Sequence, residues 1–132
     1  MVLKSHKELA VWQQAMALAA QCYQLTAHFP RDARYELTSQ IRRAVVSIPS
    51  NIAEGFHLHS TAAYIHHLRL ALGSQAELET QLELAIRLNY TTSEAAASVV
   101  EIVDHVGRML HKLVSSLEAY KPSESHNLQA PS

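Results

Sequence analysis

The sequence predicts an all-α fold, an antiparallel up-down-up-down four-helix bundle, and three observations carry that prediction. Set at steps of roughly 100°, residues 37 to 55 place Leu37, Ile41, Ala44, Val45, Ile48 and Ile52 on one side, the period of a buried helix stripe. Apolar residues make up 48% of the 132, with three Gly and four Pro, which suits helices better than a β protein or an unstructured chain. Four amphipathic segments of about 20 to 28 residues, separated by short turns, then pack most simply as a bundle.

The first helix is expected to begin at a capping box, Ser5-His6-Lys7-Glu8, where serine and glutamate satisfy each other's end of the first turn. Its stripe runs Leu9, Trp12, Met16, Ala19, Tyr23 and Thr26, widened by Val11, Ala15, Leu18, Cys22 and Leu25. Phe29-Pro30 ends it, because the residue before a proline is pushed out of the α region. Residues 31 to 34 form the turn, with Asp32 as the expected cap of the second helix.

Pro49 lies in the middle of that second helix. It offers no amide to the carbonyl of Val45, a cost of about 3 kcal/mol in a straight helix, so a kink near Val45 to Pro49 is expected. A break into two helices, with Ser47 capping the second, is the alternative. Gly55 is expected to close the helix through a positive φ, and residues 56 to 59 connect to a third helix starting at Ser60 or Thr61.

The third helix, about Ala62 to Asn89, carries the stripe Tyr64, Leu68, Ala71, Leu72, Leu78, Leu82 and Ile86, interrupted by Gln75 and Glu79. A buried carboxylate is costly unless paired, protonated or hydrogen-bonded. Mirroring the helices across their turns puts Tyr23 and Thr38 at the height of Gln75 and Glu79, so these four are expected to form one polar layer. Asn89-Tyr90 ends the helix and residues 91 to 94, Thr-Thr-Ser-Glu, are a second capping box. The fourth helix repeats Ala96, Val99, Val103, Val106, Leu110, Leu113 and Leu117 at coiled-coil spacing. Pro122 is expected to end it, giving one domain over residues 1–120 and a disordered polar tail over 121–132.

Two helices carry packable residues on a second side. Opposite the core stripe of the second helix stand Ser39, Val46, Ser50 and Ala53, and the back of the third carries Leu70, Leu84 and Leu88. A fully solvated face would show Lys and Glu there, so both faces are expected to bury against neighbouring subunits.

Eleven Lys and Arg against twelve Asp and Glu give a net charge of -1, so no global field draws the chain to nucleic acid or anionic lipid. No run approaches the roughly 20 apolar residues of a membrane span, and Met1 to Glu8 lack a signal-peptide core, so a cytoplasmic protein is expected. The single cysteine, Cys22, excludes an internal disulfide framework and is expected to be a buried, inert thiol.

Catalytic chemistry finds no foothold. A di-iron bundle needs inward carboxylates and Glu-x-x-His pairs, and Glu101 to His105 misses that spacing by one place. His57, His59, His66 and His67 gather at one turn without a cysteine or carboxylate at fixed spacing, which favours a solvated loop end over a metal site. Nothing resembles a nucleophile elbow. No metal, cofactor or small-molecule substrate is therefore expected. The one local concentration of positive charge is Arg31, Arg34, Arg42 and Arg43, offset by Asp32 and Glu36. Such a cluster can contact successive phosphates, or it can pair within the chain with Glu77, Glu79 and Glu83.

The segments Leu9 to Gln13, Leu37 to Ala44, Ser47 to Gly55 and Ala71 to Leu82, with Leu88-Asn-Tyr90, resemble the bacterial four-helix-bundle proteins encoded in intervening sequences of large-subunit ribosomal RNA genes. The resemblance spans residues 9 to about 117. It implies an antiparallel bundle assembled as a ring-like homopentamer, with no catalytic residues to transfer. A distant relative, the accessory protein of diversity-generating retroelements, is a basic pentamer that binds nucleic acid and a reverse transcriptase. The expected partners are thus further copies of the chain, with RNA or an RNA-handling protein beside them.

Overall fold

The computed structural model describes the backbone of residues 3–129 and the side chains of residues 3–32 and 35–120. Four helices, α1 (Ala10–Thr26), α2 (Ser39–Phe56), α3 (Thr61–Arg87) and α4 (Ser93–Gln129), follow one another with no strand among the described residues. Each packs on its two neighbours around the bundle, α2 on α1 and α3, and α4 on α3 and α1. Side-chain pairs fix the directions. Ser47 meets Ser74 at 2.7 Å and His67 Nδ1 donates to Asn51 Oδ1 at 3.0 Å, so α3 descends as α2 rises. Gln75 bonds to Val103 and Arg69 to Glu118, which sets α4 against α3 in the same opposed sense.

The stripe of α2 is buried as its period requires: Ile41, Val45, Ile48 and Ile52 are fully enclosed, with Leu37 and Ala44 beside them. That of α4 is buried through Ala96, Val99, Val103, Val106 and Leu110, with Leu113 and Leu117 packed against the core edge. On α1 the core side is Val11, Ala15, Leu18, Cys22 and Thr26, while Met16 and Tyr23 are exposed. The helix is therefore turned by about one residue step from the expected stripe. On α3 the buried set includes Ile65, Gln81 and Ala85 in addition to Leu68, Ala71, Leu78 and Leu82.

Helix ends follow their local chemistry. Ser5 does cap, accepting from the Lys7 amide at 3.2 Å, but it caps a single 3-10 turn (His6–Glu8), and α1 starts only at Ala10. Ser60 caps α3 by accepting from the Ala63 amide, and Thr92 caps α4 by accepting from that of Ala95. At the far end of α3 the amides of Asn89 and Tyr90 reach back to the carbonyls of Ile86 and Ala85. Asn89 takes φ 63°, as the asparagine of a Schellman turn does. Tyr90 then lies 6.0 Å from the ring of Phe29, joining this turn to the start of the α1–α2 connection.

In α2 one alternative falls and one expectation changes. Pro49 sits inside one unbroken helix from Ser39 to Phe56, so the two-helix alternative is excluded. Ser50 Oγ and Asn51 Nδ2 donate to the carbonyls of Val46 and Ser47, and the proline is itself buried in the core. Gly55 is not a positive-φ terminator: it lies within the helix, and His59 takes the left-handed turn at φ 55°. What Gly55 provides is room, because a Cβ there would stand 2.8 Å from the Cβ of His67. At the other end α4 continues to Gln129, past Pro122, where the sequence reading stops it. A proline removes one amide and crowds a carbonyl without closing the helical path. The last residues of the expected tail, 130–132, lie outside the described residues.

Cys22 is fully enclosed, and burial pushes its thiol up to about 12. Because the thiolate is the reactive species, Cys22 should resist a thiol reagent at pH 8 in the native protein and react fully in guanidinium, as a colorimetric thiol count would show. The same shift gives a sign for stability. The folded state holds this proton more tightly than the unfolded chain, so the contribution is complete at neutral pH. It is lost as pH rises from about 9 toward 12. Burial also raises the Tyr64 hydroxyl, which adds to the alkaline loss with the same sign.

Candidate interaction surface

The four arginines do not act as one cluster. Arg42 turns back onto the end of α1, where its Nε donates to Thr26 Oγ1 at 2.9 Å and its Nη2 to the Tyr23 carbonyl at 3.2 Å. Its guanidinium also lies 4.4 Å over the Tyr23 ring. A cation at a helix C-terminus meets the negative end of the dipole, and here it adds a donor to a carbonyl that also takes the Ala27 amide, so Arg42 is an internal clamp. Arg31 and Arg43 are exposed, and no described side chain pairs with either. The side chain of Arg34 lies outside the described residues.

The polar layer does not form. Tyr23 is drawn to Arg42 on the surface and Glu79 is exposed, which removes the cost of a buried carboxylate. Thr38 and Gln75 are buried, but apart from each other in bonding: Gln75 Nε2 donates to the Val103 carbonyl at 3.0 Å, and Thr38 Oγ1 has no described partner. The register seen in the Ser47–Ser74 pair sets Gln75 near the level of Val46 and Thr38 near that of Glu83, about two turns apart, and direction around each helix separates the rest.

The outward faces stand in water within the single chain. On α2, Ser39, Val46 and Ser50 are exposed and Ala53 is half-buried; on α3 and its C-cap, Leu70, Leu84 and Leu88 are each 44–47% exposed. Arg43 belongs to the same side of α2, one turn from Ser39 and from Val46. Beyond Ser39 the backbone widens into a π-helical turn (Arg34–Thr38), preceded by a 3-10 turn (Arg31–Ala33). Such wide turns are rare and concentrate at functional sites. This one holds Tyr35 91% exposed at the head of the α2 face. Sequence reasoning passed over Tyr35, although its place roughly 200° from Leu37 already put an aromatic on the side away from the core.

A groove of about 450 Å³ opens between α3 and α4, with Leu82, Val100 and Val103 in its walls and the carboxylates Glu79 and Glu83 at its edge. Leu84 lies one turn beyond Thr80 and continues its α3 side. Glu83 holds Arg87 in an exposed pair at 3.0 Å, whereas Glu79 has no described partner.

The remaining chemistry is local. His57 and His6 share a 2.9 Å ring-nitrogen contact that ties the start of the chain to the α2–α3 connection. His67 is engaged with Asn51 and lies 3.9 Å from Glu54. Among the described residues no three His, Cys, Asp or Glu side chains gather as a metal group. No helix among them is long and apolar enough to cross a membrane.

Comparison with known proteins places this geometry in a family. A crystal structure from Bacteroides thetaiotaomicron, described as a protein of unknown function from the S23 ribosomal protein family, superposes with a TM-score of 0.75 at 27% sequence identity. The match covers 80% of this chain and 98% of that one. No curated protein matches the sequence. Residues 7–112, nearly the whole bundle, match the family described as 23S rRNA-intervening sequence protein, and the chain belongs to that family.

Proposed function

We propose that the protein is a non-enzymatic interaction scaffold that works as a homo-oligomer, a pentamer by its resemblance, and that presents RNA or an RNA-handling protein with a repeated surface. The observation that supports this is the outward apolar set, Val46 on α2 and Leu70, Leu84 and Leu88 on α3, nearly half exposed on adjacent helices of one chain. Apolar patches of this kind on a small domain mark contact surfaces, and a cyclic assembly covers them by setting one face against a different one. Light scattering on an eluting column peak is expected to give a small whole multiple of 14.7 kDa, five by the resemblance. A peak at 14.7 kDa itself across the accessible concentration range rejects the reading.

A second reading, direct binding of nucleic acid, is favoured by one observation: Tyr35 is 91% exposed in the turn between the exposed Arg31 and Arg43, and an exposed ring on a surface that also carries arginines is what unpaired bases stack on. Structured RNA should then shift in a gel at low salt, with the complex weakening steeply as salt rises. Absence of a shift at low salt removes it.

A further inference from the structure

We propose that Tyr35 and Arg43 of one copy of this chain form a knob that seats in the groove between α3 and α4 of the next copy, with Arg43 against Glu79. The inference rests on the assembly reading above and specifies which faces meet. Its first support is complementarity. The α2 side offers an aromatic ring 91% exposed and, two turns along, Arg43, which no described side chain pairs with; the groove has apolar walls, room for a phenol ring, and two carboxylates at its edge. Aromatic anchors with arginine dominate the centres of protein interfaces, and rim charges of opposite sign fix register. Within the chain the two charge sets do not find each other. Arg42 is spent on α1, and Glu79 and Arg43 remain unpaired among the described residues.

The second support is height. Ser47 of α2 is level with Ser74 of α3, so the stretch of α3 from Glu79 to Glu83 stands level with α2 residues near 38 to 42, helices having equal rise. Gln75 is level with Val103, which brings residues 100–103 of α4 to within about a turn of the same plane. Arg43 and the groove therefore stand at nearly one level on different sides of the bundle, with Tyr35 two turns from Arg43 toward the Glu83 end. A contact between two different faces generates a ring when the repeat has rotation without translation, and an open helical filament when it has both. Equal heights supply the first condition, with the rotation axis parallel to the helices.

The experiment is the mass of the full chain by light scattering, with circular dichroism as the control for folding. All the altered residues are exposed, so the helical signal and its melting should stay close to the parent. Tyr35→Ala, Arg43→Glu and Glu79→Arg are each expected to weaken association at least tenfold and move the peak toward 14.7 kDa. Combining Arg43→Glu with Glu79→Arg is expected to restore the parent mass, because the reversed pair attracts again. Arg43→Cys with Glu79→Cys in one chain should give a disulfide-linked ladder under oxidation, Cys22 being buried and inert. If the parent is oligomeric and the single variants keep its mass, the knob is wrong and assembly proceeds through other faces. If the parent is monomeric, both this inference and the assembly reading fall. If Tyr35→Ala keeps the mass but abolishes an RNA shift, the surface belongs to nucleic acid and the inference is overturned.

Discussion

Replacing Gly55 by alanine should lower the melting temperature, whereas the same change at Gly73 should raise it. In a helix interior alanine is favoured over glycine by up to about 1 kcal/mol, so propensity alone predicts stabilisation at both sites. At Gly73 nothing lies within 4 Å of where the Cβ would be, and the gain should appear almost undiminished. At Gly55 that Cβ would stand 2.8 Å from the Cβ of His67 and 3.2 Å from Cδ1 of Tyr64. The first of these atoms is fixed to the α3 backbone and cannot swing aside, so α2 and α3 must part. Forcing a methyl into such a contact costs about 1–3 kcal/mol, occasionally more, which outweighs the propensity gain. A net loss near 1–2 kcal/mol, or several degrees in a thermal melt followed by circular dichroism, is the expected result. Gly55→Val should lose more. A Gly55→Ala protein that melts as high as the Gly73→Ala protein would show that the two helices do not approach this closely.

Gly55 also shows what kind of information a sequence carries. A glycine after a helical stripe reads as a terminator, since that is the commonest local use of its freedom; close approach to another helix is a tertiary fact with no local mark. The stripes of α2 and α4 were legible because each has one clearly apolar side and one side of different chemistry. On α1 both Leu9-Trp12-Met16-Tyr23 and Val11-Ala15-Leu18-Cys22 are apolar, so periodicity could not choose the core side. The structure buries the set with smaller residues. The outward faces of α2 and α3 were readable for the same reason that α1 was ambiguous: apolar residues on a second side need a second explanation. Tyr35 escaped because it lies just before the stripe that begins at Leu37, and the arginines on either side of it in sequence drew attention to charge. Arg42 was assigned to the surface cluster because its sequence neighbour Arg43 is there, while a single 100° step separates a clamp on α1 from a free cation.

The largest loss is expected from filling the space at Gly107. Gln75 is a buried glutamine whose amide lies directly over this glycine: a Cβ on Gly107 would meet Nε2 at 2.6 Å and Cδ at 2.9 Å. The same Nε2 donates to the Val103 carbonyl, which is also the ordinary helical acceptor for the Gly107 amide. One carbonyl of α4 thus takes a bond from its own helix and one from α3, and the glycine is the opening that lets the second donor in. Gly107→Val must push the Gln75 amide off that carbonyl. The displaced group stays buried, costing about 1–3 kcal/mol for the lost partner, and the extra volume costs a further 1–3 kcal/mol. Propensity returns only a few tenths. The sum is a loss of roughly 3 kcal/mol or more, measured as a shift of the urea midpoint at unchanged slope. Gln75→Ala alone should cost less, because it removes the amide and leaves a small void. Combined, the two changes are complementary in volume, and the double variant should recover at least half of the loss caused by Gly107→Val. That recovery is a coupling between residues in contact. Strictly additive losses would mean that the glutamine does not occupy the space above Gly107, and the polar bond would no longer set the height of α4 on α3.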